Sequence, residues 1–182
     1  MLNVRLPVFF FTLLVTLGAD VRNCACDVTK PETLEARECG LCKVAELQPA
    51  DISVFFLKDN NPRKPNRWLA LPRAHYPGGH PLREMPLEQR TRLWTAAIGK
   101  ANELWGDSWG LAINGEEQRT QCHAHIHIGK LLDNVETENF AIVTSAAEIP
   151  LPANDTGLWV HPVLGKLHVH TGEQITESNL LR

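Results

Sequence analysis

The stretch RTQCHAHIHIGKL, Arg119 to Leu131, sets histidine at three alternate positions, His123, His125 and His127, with Ala124, Ile126 and Ile128 between them. Alternation with period two is the mark of a strand. It puts the three imidazoles on one face and the three apolar side chains on the other. Neighbouring side chains on one face lie about 7 Å apart, so the three rings span the length of a small polyphosphate. The apolar face needs a core to bury it, and the stretch therefore predicts a sheet covered on one side and carrying polar chemistry on the other.

Working outward, WGLAIN (Trp109–Asn114) reads as the strand before it, joined by the polar turn GEEQRTQ. Ahead of that, PLEQRTRLWTAAIGKANELWG opens with Pro86 at the first helical position and closes at Gly106. Within it Leu87, Arg90, Trp94, Ala97, Ile98, Ala101, Leu104 and Trp105 approximate the repeat of an amphipathic helix, whose aromatic stripe is read as core packing. Further upstream ISVFFLKD (Ile52–Asp59) and RWLALPRAH (Arg67–His75) form two extended runs around the turn-rich NNPRKPN, a hairpin with a long loop. Downstream of the histidines come the Pro-interrupted IPLPANDTG and then GLWVHPVLGKLHVHTG, with short strand-like pieces bearing His161, His168 and His170. Strands running into a helix and back into strands predict an α+β fold with an antiparallel sheet and one main amphipathic helix. There are no internal repeats.

The chain has 182 residues, enough for one domain with a core and a small appendage. A net charge of -3 gives no whole-chain basic field, so nucleic acid is not an expected partner and any phosphate must be held locally. The N-terminus, MLNVRLPVFFFTLLVTLGAD, has one cation, an apolar run from Leu6 to Leu17 and small residues at Gly18-Ala19. That order reads as a secretory signal over residues 1–19 and predicts an exported protein; the run is short for a membrane span, although a signal anchor is the alternative.

Residues 20–48 then form a cysteine-rich segment, with Cys24, Cys26, Cys39 and Cys42 in a C-x-C and C-x-x-C arrangement. The spacing suits a structural zinc held by four thiolates, and in an oxidising compartment it equally suits two disulfides. Cys122 is left over and is read as a buried small hydrophobe. Residues 49–182 make the remaining domain.

Three histidines in this pattern fit a metal site, a nucleophilic imidazole with two helpers, or a solvated polar face. The weaker His168-Val-His170 pair is divided between chemistry and a solvated face.

The motif resembles that of the histidine-triad superfamily, with His123-Ala-His125-Ile-His127-Ile in place and Gly129 departing from the final apolar position. The resemblance extends to Asp59-x-x-Pro62-x-x-Pro65, to Trp68-Leu-Ala-Leu-Pro72-x-x-His75 and to the helix that follows; Cys39-Gly-Leu-Cys42-Lys43 resembles an opening motif that helps hold zinc in many bacterial members. Within the superfamily, Leu111-Ala-Ile-Asn114 leading into Arg119-Thr-Gln-Cys-His, with His168 eight residues ahead of Thr176-Glu-Ser178, is most similar to the bacterial CDP-diacylglycerol pyrophosphatase family.

The resemblance implies a hydrolase in which His125 attacks the α-phosphorus of a nucleotide pyrophosphate, His123 holds its tautomer and His127 bonds the phosphate or leaving oxygen. It implies that Asn114, Arg119 and Thr120 line a phosphate pocket and that Asp59 meets ribose hydroxyls. No metal is required for the chemistry, and CDP-diacylglycerol is the first expected substrate, with contact at a membrane surface. A dinucleoside polyphosphate is the alternative within the class, and a secreted metal-binding protein without turnover is the alternative outside it. Histidine-triad proteins are often dimers. Arg67 stands where many members carry a further histidine, which separates this chain from the cytosolic phosphoramidases.

Overall fold

The apolar alternation is resolved in a computed structural model that describes residues 21, 24–76 and 81–182. The proposed secretory signal lies outside the described residues. Seven strands form one antiparallel sheet: β1 (Val54–Lys58), β2 (Trp68–Pro72), β3 (Trp109–Ile113), β4 (Ile126–Lys130), β5 (Ala141–Val143), β6 (Leu158–Val163) and β7 (Lys166–Thr171). Their order across the sheet is β1-β2-β4-β3-β6-β7-β5. Three helices accompany them: α1 (Gly40–Glu46), α2 (Pro81–Glu84) and α3 (Leu87–Trp105). The fold is α+β, with one long amphipathic helix.

α3 begins after Pro86 and ends at Gly106, whose φ of +56° suits glycine and stops the helix. Its buried face is Leu93, Trp94, Ala97 and Ala101, packed on Ile126 and Ile128 of β4, Leu111 and Ile113 of β3, and Leu158 and Val160 of β6. Leu87, counted into the stripe from the sequence, is exposed, and Leu93 takes a core place that the sequence reading did not give it. The first turn of a helix at the rim of a sheet has nothing to pack on. Ala112, Trp159 and Leu180 lie in a separate cluster, and Ala112 pairs in register with both His127 and Trp159. Period two thus leaves α3 on one face of the sheet and the histidine of β4 on the other.

The β6–β7 hairpin turns through Leu164 and Gly165, both at positive φ, as a two-residue turn following the sheet twist requires. The β1–β2 hairpin is as the sequence predicts, Val54 facing Pro72 and Lys58 facing Trp68.

The cysteine reading is corrected by two disulfides, Cys24–Cys122 and Cys26–Cys39, which leave Cys42 as a buried thiol. A four-thiolate zinc site from Cys24, Cys26, Cys39 and Cys42 is therefore not formed, because a sulfur in a disulfide carries no thiolate charge to offer. Cys122 is no spare hydrophobe. Its partner comes from 98 positions away, and spacing within the N-terminal segment cannot reveal such a pairing.

Candidate active site

β4 begins only at Ile126, so His123 and His125 precede the strand instead of lying within it. The cause is the N-terminal segment, which takes the backbone here: the Cys122 N–H donates to the Glu38 carbonyl (2.8 Å), and the Gln121 side chain bridges the Leu41 N–H (3.0 Å) and the Arg37 carbonyl (2.9 Å). The three imidazoles consequently do not form one row. His125 and His127 meet edge to face at 4.9 Å, whereas the His123 ring turns away to His75 at 4.8 Å and shares a hydrogen bond through Nε2 with the Pro72 carbonyl (2.8 Å).

His125 Nδ1 lies 2.8 Å from the His123 carbonyl. A carbonyl only accepts, so this nitrogen carries the proton and Nε2 keeps its lone pair. The tautomer is thus set by His123, through its backbone carbonyl and not through its ring. Burial lowers the pKa of His125, and burial holds His123 down to about 4, its bond to Pro72 opposing. His127 is likewise lowered by burial. All three are neutral at neutral pH.

His125 and His127 line a cleft of about 710 Å³ together with Asp59, Asn114, Arg119 and Thr120. Six of the seven residues expected to act on substrate are thus gathered there, and His123 stands behind them. Asn114 is fixed by its Oδ1, which accepts from the backbone N–H groups of Thr176 (3.0 Å) and Glu177 (3.0 Å). Arg119 and Glu116, both buried, form an ion pair at 3.1 Å that sets the guanidinium direction.

Three site residues were missed by sequence reasoning. Glu177 accepts from Asn114 Nδ2 (3.1 Å), pairs with Lys64 (2.5 Å) and stands 3.6 Å from His127 Nδ1, long for a hydrogen bond. Burial alone would raise the Glu177 pKa, but His127, Lys64 and Asn114 outweigh it and hold the carboxyl well below its usual range. Arg67 is almost wholly buried and grips the C-terminal segment, donating to the carbonyls of Glu177 (2.6 Å), Leu180 (2.6 Å) and Leu181 (2.7 Å). The Thr176-Glu-Ser178 likeness was the one signal for Glu177, and Arg67 stood out only as a departure from the usual histidine; Lys64 had no signal. His168, placed by the same likeness, lies outside the cleft among a second group of histidines.

Part of the lining is apolar: Leu41 and Val44 of α1, Leu57 of β1 and Leu69 of β2, the last in register beside His127. A cleft with neutral nucleophile, paired cations and a partly apolar lining suits an anionic ester with an apolar or aromatic portion.

Donor groups for a metal also occur. Cys42, His75 and His123 each offer a ligand atom within 4.8 Å of the others, as do Glu136, His161 and His168. No protein-family model and no curated protein matches the chain.

Proposed function

We propose that the protein is a hydrolase of the histidine-triad type, cleaving a nucleotide pyrophosphate bond through a nucleotidyl-histidine intermediate. The observation that carries this reading is the His125 tautomer: Nδ1–H is engaged by the His123 carbonyl, which leaves Nε2 as a neutral nucleophile beside a cleft holding Asn114, Arg119 and Thr120. In the first step the Nε2 lone pair attacks the α-phosphorus, an N–P bond forms, and the bridging P–O bond breaks with its electron pair leaving on the departing phosphate. His127 is adjacent and bonds the phosphoryl or leaving oxygen. The imidazolium so formed keeps its Nδ1 proton and is favoured by the negative charges of Glu177 and Asp59, which both act to raise the pKa of His125. Water then attacks the same phosphorus and gives up a proton to solvent, while the N–P bond breaks with its electron pair returning to Nε2 and so restores neutral His125. Arg119 offsets the charge that develops on the phosphoryl oxygens.

CDP-diacylglycerol is the substrate we favour, giving CMP and phosphatidate, and the apolar lining of Leu41, Val44, Leu57 and Leu69 supports a ligand with a lipid or stacked portion. A dinucleoside polyphosphate is the second reading. Two disulfides support an oxidising compartment and hence export to a place where a membrane surface presents the substrate. No helix among the described residues is long and apolar enough to cross a membrane.

A structural zinc fits at Cys42, His75 and His123, where Glu46 Oε1 stands 2.7 Å from His75 Nε2 as a supporting carboxylate. Burial pushes the Cys42 thiol up to about 11, and a bound cation is what would deprotonate it. No catalytic step passes through this site.

The deciding experiment is CMP release from CDP-diacylglycerol by the purified chain beside His125→Ala, with diadenosine tetraphosphate as second substrate. CMP only from the intact triad is expected. Cleavage of the polyphosphate alone moves the substrate and keeps the chemistry; full activity in His125→Ala overturns the mechanism, and inactivity on both substrates favours a metal-binding protein without turnover.

A further inference from the structure

The face of the sheet that carries His127 continues, one strand at a time, into a second histidine group. His127 lies opposite Ala112, Ala112 opposite Trp159, and Trp159 opposite His170, a span of three strands or about 14 Å. His161 of β6 pairs with His168 of β7, and period two puts His170 on the same face. The chain after β4 brings Glu136 and Thr137 against them. Glu136 Oε1 forms a short contact with His168 Nδ1 and stands 3.6 Å from His161 Nε2, while His161 Nε2 and His170 Nε2 are 3.4 Å apart.

Packing alone does not account for this group. Two buried imidazoles, His161 and His168, share a single carboxylate, and His161 and the buried His170 aim nitrogens at each other where at most one can hold a proton. Burial lowers His161 and holds His170 down to about 4, so both present lone pairs at neutral pH. The rings are also fixed in place. Trp159 stacks on His170 at 3.8 Å, Phe140 stacks on His168 at 4.1 Å, and Thr137 Oγ1 meets the outer nitrogen of His170 at 3.0 Å.

We propose that Glu136, His161 and His168, whose ligand atoms all lie within 4.8 Å of one another, form a three-residue binding site for a divalent transition-metal ion, zinc being the ion this nitrogen and oxygen set suits, with water in the fourth position. Tetrahedral ligands at about 2.0–2.2 Å from zinc stand about 3.3–3.6 Å from one another, and Glu136 Oε1 and His161 Nε2 already stand 3.6 Å apart. On binding, Glu136 and His168 exchange their mutual contact for the ion, and the His168 proton moves to Nε2. Glu136 is exposed, which gives the ion a way in from solvent. The ion would tie the β6–β7 hairpin to the segment after β4, and it takes no part in the reaction proposed for His125.

The test is cobalt(II) titration of the metal-stripped full chain, followed by visible absorption, with zinc competition. Expected is one equivalent with a nitrogen and oxygen spectrum, separate from any thiolate-absorbing uptake at Cys42, displaced by zinc and at least tenfold weaker in Glu136→Gln and in His168→Ala. Cys42→Ser and His125→Ala should leave that equivalent unchanged, which separates it from the thiol-bearing group and from the triad. Should His168→Ala misfold by circular dichroism, Glu136→Gln decides, since its side chain lies at the surface. Uptake in Glu136→Gln equal to wild type overturns the site, as does a wild-type chain that takes up no cobalt without thiolate absorption.

Discussion

The reactivity proposed for His125 rests on one hydrogen bond and on burial, and the two make different demands on pH. The bond to the His123 carbonyl chooses the tautomer; burial lowers the pKa, so the neutral nucleophile persists below the ordinary histidine value of about 6.5. The acid limb of kcat/KM is therefore expected below pH 6.5, and a limb at or above 6.5 in a pH–rate profile would sink this account of the site. Asn114 makes a second residue-scale case. Its Oδ1 caps two buried N–H groups, and Asn114→Ala leaves both without that acceptor, at a cost of about 1–3 kcal/mol by denaturant unfolding. Activity should fall as well, because Glu177 loses its amide partner. The triad, Asn114 and Arg119 were legible in the sequence because they lie within fourteen positions and follow a motif. Lys64 and Glu177 were not, since their ion pair joins residues 113 positions apart and only the closed sheet brings them together.

At the scale of elements, the strands and α3 were readable because each carries its own period. The start of β4 was not, because a competing element captures its first residues. That competitor, the segment ending in α1, is stapled next to the triad by Cys24–Cys122 and supplies Leu41 and Val44 of the apolar lining of the cleft. Closing a loop of 98 residues lowers the entropy of the unfolded chain by the equivalent of about 4–5 kcal/mol. Cys122→Ser is thus expected to lose about 2–5 kcal/mol of stability and to raise KM more than it lowers kcat, since His125 keeps its local bond while the lining loosens. Equal KM with a reduced kcat would show that the staple orients the nucleophile instead. Gly157, at the mouth of β6, tests the other side. A Cβ there would stand 2.3 Å from the Ile113 carbonyl and 2.8 Å from the Gly115 nitrogen, both backbone atoms that hold Asn114 between them. Gly157→Ala should destabilise by several kcal/mol, on the order of the larger overpacking penalties, read as a lowered denaturation midpoint.

For the molecule as a whole, placing neutral imidazoles against the sheet fixes how stability depends on acid. His123, held down to about 4, stays neutral when folded through a range in which the unfolded chain binds a proton at about 6.5. The unfolded state therefore binds more protons below pH 6.5, so stability rises with pH there. Its contribution is complete above about 6.5 and is lost as pH falls through about 4, a swing of about 3 kcal/mol for this residue alone. His127 adds in the same direction. Glu177, whose carboxyl is also held low, extends the loss downward, since its stabilising charge is present above the unfolded carboxylate range and disappears as it protonates. Urea unfolding of the metal-stripped chain between pH 7.5 and 4 should show a monotonic fall, and His123→Gln, which keeps a donor for the Pro72 carbonyl without titrating, should flatten that fall by about 3 kcal/mol. An unchanged slope in His123→Gln would mean that the ring takes up a proton while folded, and that the space behind the nucleophile is wet enough to hold a charge.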